Sequence, residues 1–126
     1  MTTIGAIYEF LDEMAPFSRQ MVWDNSGLLV GSPEDEVERV VLALDATGPV
    51  VEEAAQKGVQ LILSHHPVIF HPIKSVLEGS VVYRLARSGM SAICAHTNLD
   101  LAWGGTNDVL CERLELSGME QLTGEQ

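Results

Sequence analysis

The 126-residue sequence contains four histidines, and all of them fall between positions 65 and 96. His65 and His66 are adjacent and precede Pro67, and His96 is followed by a carboxylate at Asp100. Imidazole nitrogen and carboxylate oxygen are the donors that divalent first-row ions such as Zn, Fe, Mn, Co and Ni accept. Neighbouring histidines in a tight loop tend to point apart, so His65 and His66 suit two adjacent ions better than one. Asp100 would bind one ion or bridge both. Such a pair polarises a water and clamps a charged substrate oxygen.

Each residue alone has a plainer explanation. His-His-Pro can be a polar turn, His96 a hydrogen-bonded loop residue, and Asp100 a helix cap. Asp45 reads as an outer partner of the site, or as a turn-former before Thr47 and Gly48. Asp24 and Asn25 read as a turn, with a place facing the site as the alternative. Gly104 and Gly105, followed by Thr106 and Asn107, read either as a Gly-rich turn capped by Thr106 or as backbone able to seat a phosphate or carboxylate. His71, after Phe70, reads as a surface residue.

What turns these singles into a site is the order of elements that carries them. Helical spacing predicts a first helix over Thr3–Met14, capped by Thr2 or Thr3, with Ile4, Ile7, Phe10 or Leu11, and Met14 on one stripe; Pro16 ends it. A short strand, Leu28–Val30, and an acidic connection with Pro33 follow. The chain then alternates: strand Val40–Leu44, helix Pro49–Lys57, strand Leu61–Leu63, a long loop Val68–Gly79, helix Ser80–Ser88, strand Ser91–Ala95 and helix Thr106–Leu114. Pro49 early in its helix and Gly58 just past the end follow the expected asymmetry. Apolar strands without alternation predict burial on both faces, and helical crossovers predict parallel neighbours. The expected fold is therefore α/β, a mainly parallel or mixed sheet with helices on both faces. Its C-terminal strand edge would gather Asp45, His65, His66, His96 and Asp100, the edge where open α/β sheets bind ligands. The expected boundaries are a domain over residues 1–117 and a tail over 118–126.

Composition narrows the function classes. Hydrophobic residues make up 46% and charged residues 20%, which predicts a globular chain and argues against disorder. The net charge of −11 repels a phosphate backbone, so no nucleic-acid face is expected. A bound cation would still admit a nucleotide or phosphorylated small molecule. No apolar run reaches the roughly 20 residues of a membrane helix, and Met1–Pro16 lacks the basic start of a secretory signal. Cys94 and Cys111 lie in apolar segments without CxxC spacing, which predicts buried reduced thiols and a cytoplasmic protein.

Several stretches in register resemble one family. Trp23-Asp24-Asn25-Ser26-Gly27-Leu28-Leu29-Val30-Gly31, Ser64-His65-His66-Pro67 with Phe70, and Ala95-His96-Thr97-Asn98-Leu99-Asp100 with Gly104, Gly105, Asn107 and Asp108 are similar to the Nif-three-like family. Its members carry the label GTP cyclohydrolase 1 type 2 homologue. The resemblance runs from the first helix to Leu116. It implies an α/β fold, a dinuclear metal centre and hexameric rings, with His65, His66 and Asp100 as ligands and His96 as ligand or close partner. It also implies a His and a Glu, four residues apart, from a C-terminal half. No His follows His96, and Glu112, Glu115, Glu120 and Glu125 do not form that motif, so the expected site is partial. The expected function is the metal-binding domain of a dinuclear hydrolase acting on a nucleotide or small molecule, as a homo-oligomer or with a separate chain supplying the missing half. The alternative is a non-catalytic metal-binding or assembly module.

Overall fold

The computed structural model of the chain describes residues 1–120. Four strands form one sheet: β1 (Gly27–Val30), β2 (Val40–Ala43), β3 (Leu61–Ser64) and β4 (Ser91–Cys94). Their spatial order is β1-β4-β3-β2. β2, β3 and β4 are parallel, with Ala43, Ser64 and Cys94 level at their C-terminal ends. β1 pairs antiparallel with β4 and sets Gly27 opposite Cys94. The sheet is thus mixed, and the antiparallel strand has a positional consequence. It brings its N-terminal end to the edge where the parallel strands bring their C-terminal ends.

Five helical segments surround the sheet: α1 (Ile4–Met14), α2 (Gly48–Gln56), α3 (Val81–Arg87), α4 (Thr97–Asp100) and α5 (Thr106–Arg113), with a 3₁₀ turn at Phe17–Arg19. Three of them start on hydroxyl caps. Thr3 accepts from the Ala6 N–H, Thr47 from Val50 and Ser80 from Tyr83, which satisfies donors that a first turn leaves without helical partners.

Helices cover both faces. On one side Val51 and Ala54 of α2 and Leu85 of α3 meet Ile62 and Ala92 of the sheet. On the other, Ile4, Phe17 and Val37 meet Leu61 and Ile93, with Ile7 and Leu11 packed against them. Tyr8 stacks on Phe17, ring centroids 4.4 Å apart. Leu61, Ile62, Leu85 and Ile93 are fully buried, each stabilising the fold by about 1.5–3 kcal/mol relative to exposure.

Three sequence expectations change. β2 is apolar but lies at the sheet edge, so Val40 and Leu42, the latter 75% exposed, are not buried on both faces. They share a side with Leu61 and Leu63, yet the α1-side core stops at β3. α4, a single turn, was not signalled by periodicity because it is too short to show one. Cys94 is buried, but Cys111 is only partly so, because α5 buries no residue. Burial foremost, with the nearby Asp24 charge, pushes the Cys94 thiol up to about 12 against a weaker opposing hydrogen bond from Ser26. The tail expected over 118–126 lies largely outside the described residues. Among the described residues no helix is long and apolar enough to cross a membrane.

Candidate metal centre

β3 ends at Ser64 and the chain keeps strand-like pairing for two more residues. The His65 N–H donates to Ala43 O at 3.2 Å and the His66 N–H to Leu44 O at 3.0 Å. His96 follows β4 and opens α4. One ligand nitrogen from each of His65, His66 and His96 lies within 4.8 Å of the other two. Their ring centroids are 5.0–5.5 Å apart. The expectation that the adjacent pair points apart does not hold: the pairing with β2 fixes both backbones, and both rings turn toward His96.

Each ring is held through the same nitrogen. His65 Nδ1 donates to Ala95 O at 2.9 Å, His66 Nδ1 to Asp45 Oδ1 at 2.7 Å, and His96 Nδ1 to Asp24 Oδ1 at 2.8 Å. A carbonyl or carboxylate only accepts, so Nδ1 carries the proton in all three and Nε2 presents its lone pair. Metal-binding histidines are characteristically oriented by such outer partners. Asp100 Oδ1 stands 3.5 Å from His65 Nε2, at the rim of the imidazole cluster. Asp45, about half exposed, is placed as an outer partner of His66.

Asp24 is the residue the sequence reading underweighted. Its side chain has no solvent-exposed surface. Oδ1 accepts from His96 Nδ1 and from the Asn25 N–H at 2.8 Å, and Oδ2 accepts from Ser26 Oγ at 3.1 Å, the Thr97 N–H at 3.0 Å and the Thr97 hydroxyl. Burial by itself would raise this carboxyl. The hydrogen bonds from His96, Thr97 and Asn25 outweigh burial and hold it well below the ordinary carboxylate range. No local sequence signal marks it: the antiparallel pairing of β1 sets Gly27 beside Cys94 and hence Asp24 near His96. Asn98, 1% exposed, completes the anchoring: its Oδ1 accepts from the His96 N–H at 3.0 Å and its Nδ2 donates to Ala15 O at 2.7 Å.

The remaining sequence candidates are scaffolding by position. Asn25 Nδ2 donates to Ile69 O at 2.6 Å and ties the long loop to the site. Asn107 Nδ2 donates to Asp100 O at 3.0 Å. The free N–H groups expected at the glycine pair are taken: Gly104 donates to Asp108 Oδ2 at 2.6 Å and Gly105 to Ala102 O at 3.0 Å. Gly105 is required for space, since a Cβ there would sit 1.9 Å from Leu99 O. His71 is exposed and contacts Phe70.

The donor set suits a divalent transition ion. It combines three convergent imidazoles of fixed tautomer with three carboxylates, Asp24, Asp45 and Asp100, close enough to favour positive charge. A cavity of about 510 Å³ lies elsewhere, between α2 and α3. Its lining sets Glu52 and Glu78 against Arg84 and Arg87 and offers no imidazole, so convergent donors, not volume, locate the site.

Comparison with known proteins agrees with this fold. The model of the family described as Duf34/NIF3 (NGG1p interacting factor 3) matches residues 2–125. A Staphylococcus aureus protein described as GTP cyclohydrolase 1 type 2 homolog is 37% identical over 126 residues, covering 98% of this chain and 34% of its own length. The crystal structure of a Bacillus cereus protein related to NIF3 superposes with a TM-score of 0.91 at 35% identity, covering 98% of this chain and 35% of that one. Reduced HcgD from Methanocaldococcus jannaschii gives 0.87 at 31% identity, covering 98% and 51%. The chain spans about a third of the length of the curated relatives it matches.

Proposed function

The chain belongs to the Duf34/NIF3 family, and from that premise we propose that it is the metal-binding part of a hydrolase acting on a nucleotide or related small molecule. The observation that carries this is the convergence of His65, His66 and His96, with one ligand nitrogen of each within 4.8 Å of the others. Relatives named GTP cyclohydrolase 1 type 2 homolog supply the substrate class. In this reading His65, His66, His96 and Asp100 are ligands to two divalent ions. Asp24, Asp45 and the Ala95 carbonyl hold the rings, while Asn25, Gly105 and Asn107 hold the loops that carry them. A divalent cation bound there would supply Lewis acidity and a water of lowered pKa. The chain's own residues fix donor direction, keep Nδ1 protonated and surround the centre with negative charge. Further ligands come from another segment or chain. The two free thiols, Cys94 and Cys111, fit a cytoplasmic setting.

Metal analysis of purified protein tests the reading. The wild type should retain zinc or another transition metal, and His66→Ala should lower its content by at least roughly the 10–100-fold cost of losing an outer partner. Equal and negligible content in both would remove the idea. GTP turnover lost on chelation and regained on adding metal would establish the hydrolase.

A second reading, an assembly module without catalysis, is favoured by one feature. Leu42 and Leu44 are 75% and 63% exposed along the β2 edge, and exposed apolar strand edges invite association.

A further inference from the structure

Beside the three imidazoles stand two aromatic rings that the metal reading does not use. Trp23 is 58% exposed and Phe70 is 40% exposed. Their centroids are 6.1 Å apart, with the planes at 65°. Trp23 is also 6.3 Å from the His96 ring, at 75°. The indole therefore lies between Phe70 and an imidazole of the cluster, with much of its surface in water.

That exposure is not the looseness of an untethered loop. The Met21 N–H donates to Thr97 Oγ1 at 2.9 Å, and the Asp24 N–H donates to Met21 O at 2.9 Å. The next side chain, Asp24, is fully enclosed and bound to His96 and Thr97. On the other side, Asn25 Nδ2 grips Ile69 O, one residue before Phe70. Both ring-bearing segments are thus fixed to each other and to the histidine turn. A large aromatic held rigidly in water forfeits its hydrophobic stabilisation in the free protein, and rigid placement lowers the cost of accepting a flat partner. Trp103, by contrast, is 79% exposed yet makes no aromatic contact among the described residues.

Charge narrows the partner. Asp24, Asp45 and Asp100 sit around the imidazoles, and no Lys or Arg contributes to the hydrogen bonds of this cluster. With no cation in place this charge repels a phosphate, so recognition by the chain's own side chains draws on an uncharged group. Indole and phenyl rings reward a planar π system by stacking, whichever base carries it.

We propose that Trp23 and Phe70 form a seat for a flat heteroaromatic ring, of the nucleobase class, which they hold against the His65–His66–His96 cluster. This rests on the metal-centre reading for its chemistry but not for its binding. In this arrangement Trp23 is a binding residue that sets specificity, and Asn25 positions the Phe70 loop.

Titration calorimetry with GMP tests the seat, with ribose 5-phosphate as a control that keeps the sugar and phosphate and lacks the ring. Wild type, Trp23→Phe and Trp23→Leu are each measured with and without zinc, and far-UV circular dichroism checks their fold. GMP should bind more tightly than ribose 5-phosphate. Trp23→Leu should weaken GMP by roughly tenfold and leave zinc and ribose 5-phosphate unchanged, while Trp23→Phe should retain most of the affinity. Equal binding of the two probes, or unchanged GMP affinity in Trp23→Leu, overturns the proposal. So does a Trp23→Leu variant that loses self-association in light scattering while binding GMP as before, because the ring would then serve a protein contact. Zinc binding without a GMP preference leaves the metal reading standing and this one fallen. A GMP preference without zinc binding does the reverse.

Discussion

Replacing Asp24 by Asn keeps the side chain's size and exchanges one acceptor oxygen for a donor. At least one of the groups now donating to the carboxylate, among them His96 Nδ1 and the Thr97 N–H, would face another donor. His96 would lose the partner that fixes its tautomer. Asp24→Asn should therefore weaken zinc binding by roughly 10–100-fold, read by competition with a chelating dye, while Asp45→Asn should do less because that pair is about half exposed. The gathering of His65, His66 and His96 was legible in the sequence because histidines are scarce and these three follow apolar strands. Asp24 was not, because its role depends on the pairing of β1 with β4. Asp-Asn-Ser-Gly is equally good turn chemistry, so local sequence could not decide between the two. The glycine pair stayed open between a turn and an anion seat for a related reason: whether an N–H is free depends on Asp108 and Ala102, which only the fold places.

At the scale of elements, α1, α2, α3, α5 and the parallel strands were readable from caps, breakers and apolar runs, with ends displaced by a residue or so. The edge position of β2 was not, since Val40–Ala43 is as apolar as a central strand. The junction after β1 shows how tightly the antiparallel strand is fitted. Gly31 has φ +106°, and a Cβ there would lie 2.0 Å from Ser91 Oγ and 2.9 Å from Ser91 Cα. Gly31→Ala would combine a disfavoured backbone with a clash against β4. It should lower stability by about 2–4 kcal/mol, seen as a reduced urea midpoint. Because β1 carries the segment leading from Asp24, the same variant should bind zinc less tightly even where it remains folded.

Over the whole molecule, one edge of the sheet holds the imidazole cluster and another strip is left apolar. Leu42→Lys adds a charge to that strip without touching the imidazoles. It should reduce concentration-dependent light scattering while leaving zinc content unchanged; unchanged scattering would detach association from β2. The Asp24–His96 contact joins residues 72 positions apart, and the His65–Ala95 contact joins residues 30 apart. No short peptide cut from this chain can reproduce the centre, so an ion held there is a lien on the entire sheet. Occupancy favours only the intact chain, and the melting temperature should climb with free zinc in the logarithmic manner of any ligand that ignores the unfolded state.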